Sequence, residues 1–186
     1  MVPVLSLWMP ILLSAVLVFV ASSIIHMVLT YHRSDLRKLP SQDEVMEALR
    51  KFNLPPGDYM MPYAGSSKEM KSPDFVEKRK KGPVALMTVM ESREPALGVS
   101  LAQWFVYSLL VGVFAAYVTG RALGPGAKYL AVHRFAGCTA FVGYSLALFQ
   151  NSIWMKRSWG ATFRLMFDGL VYGLLTGGTF GWLWPR

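Results

Sequence analysis

The sequence predicts an all-α membrane protein with four transmembrane helices and a cytoplasmic segment carrying two short helices. Three observations lead there. Hydrophobic residues make up 53% of the 186 positions, the mean hydropathy is positive, and four apolar windows each approach the ~20 residues a helix needs to cross a hydrocarbon core of about 30 Å. A soluble domain of this size is ordinarily less apolar, so lipid is the expected solvent.

The windows are Val4 to Leu29, Val99 to Thr119, Lys128 to Phe149 and Phe163 to Trp184. They divide the chain into a first transmembrane helix (1–30), a cytoplasmic or interfacial segment (31–98) and a three-helix transmembrane part (99–186). The first window has no Lys or Arg ahead of it, an apolar run too long for a secretory signal and no small-x-small cleavage site, so it is expected to stay as an anchor. Cys138, the single cysteine, falls inside the third window, which leaves no intrachain disulfide and no thiol cluster.

Orientation follows from Lys and Arg near the span ends. Arg33, Arg37, Lys38, Arg93, Lys156 and Arg157 share one side, against Arg121, Lys128 and Arg186 on the other. The expectation is a multi-pass membrane protein with the long segment cytoplasmic and both termini outside. Trp8, Trp182 and Trp184 form an outer aromatic belt, and Trp104, Trp154 and Trp159 an inner one.

Within the long segment, "LPSQDEVMEALRKFNLPPGDY" predicts an amphipathic helix capped by Ser41, with Glu44 closing a capping box. "SPDFVEKRKKGP" predicts a second, with Ser72 as cap, Pro73 in the first turn and Gly82-Pro83 as the stop. "DYMMPY" and "PVALMTVM" are candidates for short paired strands. So short a segment builds little core of its own and is expected on the membrane surface or on a partner. The cluster Lys78, Arg79, Lys80 and Lys81 complements the second helix's own dipole, and it is also a candidate for anionic lipid. Acidic residues interleaved through the segment argue against nucleic acid. Met60, Met61, Met70, Met87 and Met90 lack the repeating spacing of a thioether copper site.

No nucleophile elbow, phosphate loop or His-Glu-x-x-His occurs, so no enzyme is expected. His26 and His133 enter their spans from opposite sides and cannot be the two axial ligands of one haem. His26 and His32, six residues apart on a continuous helix, point about 240° away from each other, so no metal pair is expected. A single-histidine pigment or haem site is the remaining cofactor possibility; otherwise none is predicted.

The same depth reasoning gathers His26, Gln103, Gln150, Asn151, Arg164 and Asp168 into one polar layer near the cytoplasmic boundary, with Tyr107 and Tyr144 slightly deeper. Arg164 and Asp168 have the i, i+4 spacing that lets two charges pair. The layer fits a structural clamp between helix ends or a proton or ion relay, since ionisable groups in a membrane are costly to retain. A second feature is helix packing. Gly169, Gly173, Gly177 and Gly181 recur every four residues along the last span; Gly112, Ala116 and Gly120 offer a complementary row on the second, and an external helix would serve equally well.

The stretches "YHRSDLRKLP", "GDYMMPYAGSSKEMKSP" and "FDGLVYGLLTGGTFGWLWP" resemble a family of small, uncharacterised multi-span bacterial membrane proteins. The resemblance implies a bacterial inner-membrane location and carries over no activity, cofactor or site residue. The expected function is a non-catalytic integral membrane subunit that packs with other transmembrane subunits in a lipid bilayer. The alternatives are a small proton- or ion-coupled channel or transporter using the polar layer, and a pigment- or haem-binding subunit with one histidine ligand.

Overall fold

A computed structural model describes residues 1–94 and 96–186. The chain is mostly helical and forms two compact units: Met1–Arg37 with Ala96–Arg186, and Lys38–Pro95. Tyr31–Arg37, assigned by sequence to the cytoplasmic segment, belongs to the first unit.

That unit contains α1 (Trp8–Met27, entered through a 3-10 turn at Val4–Leu7) and a second 3-10 turn at Tyr31–Ser34. The second unit supplies α2 (Gln42–Arg50), β1 (Gly57–Met61), α3 (Ser67–Met70), α4 (Pro73–Lys81) and β2 (Ala85–Val89). The first unit then resumes with α5 (Leu97–Ala122), α6 (Tyr129–Ser145), α7 (Phe149–Ile153) and α8 (Trp159–Trp182). Two helical stretches, Val4–Met27 and Leu97–Ala122, are long and apolar enough to cross a membrane. The other two windows differ for local reasons. α6 carries Arg134 and stops at Ser145, where a 3-10 turn over Leu146–Leu148 intervenes before α7; α8 carries glycines, Arg164 and Asp168.

The interior of the helical unit mixes large apolar residues, such as Leu7, Val18, Val132 and Phe180, with many small and polar side chains. Ser14, Ser22, Ser108, Thr119, Ser145, Thr162, Thr176 and Asp168 are all buried beside Ala115, Ala116, Ala136 and Ala140. Large apolar residues lie outside: Leu12, Val20 and Ile24 on α1, Val106, Leu110 and Phe114 on α5, Phe135 and Val142 on α6, and Phe163, Phe167 and Leu174 on α8.

Close helix contact explains the interior, and it corrects the expected glycine pairing. The α8 row packs on α6, not on α5. A Cβ at Gly173 would meet the Gly137 carbonyl oxygen at 3.0 Å, and one at Gly177 would meet the His133 carbonyl oxygen at 2.7 Å and the Gly137 Cα at 3.0 Å. Gly169 faces Ser145 and Gly181 faces the Tyr129 ring, also on α6. Gly112 and Gly120 serve a different contact: Gly112 faces Ile11 of α1, and Gly120 lies against the backbone of Val2, whose amide donates to the Gly120 carbonyl at 2.8 Å. Ala116 is fully buried between these two positions. Backbone-to-backbone approach of this kind is available only where side chains are absent or small.

The second unit keeps several sequence expectations. Ser72 accepts from the Phe75 amide, Pro73 opens α4 and Gly82 (φ +68°) ends it. β1 and β2 pair antiparallel from Gly57↔Val89 to Met61↔Ala85. α2 forms, yet Ser41 is left-handed (φ 45°) and makes no side-chain cap, so the expected capping box is absent. α3 is an additional single turn, capped by Ser66.

Candidate functional site

The site is built where α1 stops. Helical hydrogen bonding ends with the Val28 and Leu29 amides both donating to the Ile24 carbonyl, and the chain turns back as the 3-10 segment Tyr31–Ser34. A 3-10 turn eclipses residues three apart, which sets His32 and Asp35 on one face: His32 Nδ1 lies 2.7 Å from Asp35 Oδ2. The turn lands beside α8, where His32 Nε2 is 2.8 Å from Asp168 Oδ2 and the Tyr31 hydroxyl donates to Asp168 Oδ1. Asp35 in turn receives the Arg164 guanidinium through Nε, at 2.8 Å, and Nη2.

The result is a line of alternating groups, Arg164, Asp35, His32 and Asp168, with Tyr31 on the far oxygen. A carboxylate oxygen faces each ring nitrogen of His32, and only an imidazolium can donate to both. In that state two cations balance two anions, which lowers the cost of holding Asp168 at 1% exposure. Burial raises the Tyr31 phenol above its ordinary range, and the hydrogen bond to Asp168 adds to this. Burial alone would raise the Asp35 carboxyl, but the hydrogen bonds from His32 and Arg164 outweigh it and hold the group below its usual range.

His26, from the last turn of α1, stands at the edge of this line. Its Nε2 is 3.9 Å from Asp168 Oδ2, and its ring lies 4.6 Å from that of His32. The 240° separation expected from a continuous helix does not hold, because the helix ends between the two residues. His26 also borders a cleft of about 340 Å³ lined by Ser22, Ser23, Met27, Leu101 and Trp104.

Of the expected polar layer, then, His26, Arg164 and Asp168 converge. Arg164 does not pair with Asp168 as its spacing suggested; Asp35, a carboxylate arriving from outside the helix, takes it. Gln103 and Gln150 are exposed and Asn151 is half-buried, and their side chains make no hydrogen bond among the described residues. The amides instead leave the inner tie-points to hydroxyls and rings: Trp104 Nε1 donates to Ser22 Oγ at 2.8 Å, Tyr107 to the Gly143 carbonyl at 2.7 Å, and Ser152 pairs with Thr162 at 2.7 Å. Tyr144 and Tyr172 continue inward from Asp168, with ring centroids 5.4 Å apart.

His133 lies elsewhere, stacked on Tyr129 and packed against Gly177, more than two turns along α8 from Asp168. Its Nδ1 is buried and has no hydrogen-bond partner among the described residues. In the other unit, Lys78 pairs with Asp74 at 2.8 Å, a bond that raises the lysine above its ordinary range. Arg79, Lys80 and Lys81 are exposed.

Tyr31, His32 and Asp35 are the functional candidates that sequence reasoning missed. The signal was present in "YHRSD": a histidine and an aspartate three apart, directly beyond a span end. Comparison of the chain with protein-family models, curated proteins and solved structures finds no match to any of them.

Proposed function

We propose that the chain is a non-catalytic integral membrane subunit that crosses a bacterial inner membrane four times and packs with other transmembrane subunits. The observation that carries this reading is the number of large aliphatic and aromatic residues that face outward on α1, α5, α6 and α8, while small and hydroxyl residues fill much of the interior beside Val18, Val132 and Phe180. In water, apolar surface of that extent would drive association; against lipid it is the ordinary solution, and helix contact then relies on close approach at small residues. The run Tyr129–Ile153 is long enough to cross despite its break at Ser145. Arg164 and Asp168 are tolerable in a fourth span because each has partners that neutralise it.

In this reading the long segment is cytoplasmic, both termini are outside, and the Asp168 network clamps the loop after the first span onto the last. The exposed Arg79, Lys80 and Lys81 suit anionic lipid. Purification in mild detergent followed by mass spectrometry tests the proposal: a co-purifying membrane protein in fixed ratio is expected, and a monodisperse monomer with no companion would overturn it.

A second reading, proton or ion coupling through the same network, draws on one specific observation: a buried carboxylate bonded to an imidazole and a phenol. Against it, the opposite end of the bundle is closed by the apolar cluster of Leu7, Ile11, Ala115, Val132, Ala136 and Phe180. Flux in proteoliposomes that disappears in Asp168→Asn would favour coupling; no flux in the parent would remove it.

A further inference from the structure

We propose that His26, His32 and Asp168 bind one divalent first-row transition-metal ion, with Zn2+ as the reference ion. The three residues offer ligand atoms that all lie within 4.8 Å of one another. A tetrahedral zinc shell with bonds of about 2.0–2.1 Å places its ligand atoms roughly 3.4 Å apart. Closing the set therefore takes shifts on the order of 1 Å: His26 moves in, and the 2.8 Å His32–Asp168 bond opens. His26 is free to make that move, because its side chain is 44% exposed at the end of α1.

What separates this cluster from a chance meeting of ion pairs is that its supports are already in place. Histidine ligands of metals characteristically give their second ring nitrogen to a carboxylate, which fixes the ring and its tautomer. His32 does so: Nδ1 faces Asp35 at 2.7 Å, and Asp35 is itself held by Arg164. Carboxylate ligands are commonly steadied through their other oxygen, and the Tyr31 hydroxyl occupies Asp168 Oδ1, leaving Oδ2 toward both imidazoles. Two of the three ligands are thus oriented by groups that do not themselves ligate. The donor set of two imidazoles and one carboxylate suits Zn2+ and its borderline neighbours better than soft Cu(I) or hard Ca2+. The cleft beside His26 reaches the ligand set through that residue.

A ligating imidazole nitrogen must carry no proton, so metal binding competes with protons and weakens in acid. The site depends neither on companion subunits nor on the number of spans, and its failure would leave the proposal above untouched.

The test uses the full chain in mild detergent, equilibrated with Zn2+, freed of excess and analysed for metal per chain, with Co2+ absorption reporting coordination. One ion per chain is expected, together with an affinity at least tenfold lower in His26→Gln and in His32→Gln. Asp35→Asn, which touches no metal, should lower it about 10- to 100-fold. His26→Gln is the decisive variant, since the exposed residue carries none of the network's hydrogen bonds and its loss should leave the circular dichroism spectrum unchanged. Substoichiometric Zn2+ in the parent, or unchanged affinity in His26→Gln, would overturn the assignment.

Discussion

Replacing Asp168 by Ala and by Asn should separate two kinds of damage. In Asp168→Ala the Tyr31 hydroxyl and the His32 Nε2–H both lose their acceptor inside a site where Asp168 is 1% exposed. Each fully buried unsatisfied group costs about 1–3 kcal/mol; Tyr31 and His32 are only partly buried, so about 2–6 kcal/mol is the upper bound on the loss, against the ~5–15 kcal/mol that stabilises a typical domain. Asp168→Asn can be accommodated. The amide oxygen still accepts from Tyr31, and the amide nitrogen donates to His32 Nε2 if the ring keeps only its Nδ1 proton for Asp35. What remains lost is the extra strength of a charged bond, about 1–2 kcal/mol. Denaturation in mixed micelles, followed by near-ultraviolet circular dichroism, reads both variants against the parent. An Ala variant no less stable than the Asn variant would refute the hydrogen-bond logic of the site.

Further expectations follow from the same geometry. Asp35 has a folded value below its ordinary 3.8, so its stabilising contribution is present above that pH and is lost as pH falls through the folded value; an acid unfolding limb that persists unchanged in Asp35→Asn would contradict this. Tyr31 has the opposite sign: its value is raised above 10.0, so the contribution is present below that pH and lost above it, and Tyr31→Phe should flatten the alkaline limb. Gly177→Ala forces a Cβ to 2.7 Å from the His133 carbonyl oxygen and should destabilise by about 1–3 kcal/mol. Gly98→Ala, with nothing within 4 Å, should be neutral or stabilising in the same micellar titration. Ser72→Ala removes a cap worth about 1 kcal/mol and should speed amide exchange in Pro73–Lys81, whereas Ser41→Ala should leave Gln42–Arg50 unchanged.

The apolar windows made the long helices legible, because length and hydropathy are local properties that survive without knowledge of contacts. The Ser72 cap and its proline were legible for the same reason. Contacts between elements were not. Arg164 and Asp168 satisfy the i, i+4 rule, but spacing says only that two side chains can meet; Asp35 and His32, brought in by a turn after α1, compete for them and win. A helix continuing past Met27 would hold His32 away from His26, whereas three residues of non-helical chain, 28–30, are enough to set the rings side by side. The glycine row announced close contact without naming its partner. Gly137, among the small residues of "AGCTA", was as good a candidate as Gly112 and Gly120, and those two were taken by α1 and the N-terminal backbone.

We propose four spans with the loop after the first on the cytoplasmic side, where the Asp168 network clamps it onto the last. Single cysteines in a Cys138→Ser background, at Pro3, Gly126, Ser66 and Lys156, labelled by an impermeant maleimide in intact cells and in inverted membranes, test it most directly. The expected result is labelling at positions 3 and 126 only from outside and at 66 and 156 only from inside. Labelling of 126 and 156 from the same side would contradict it.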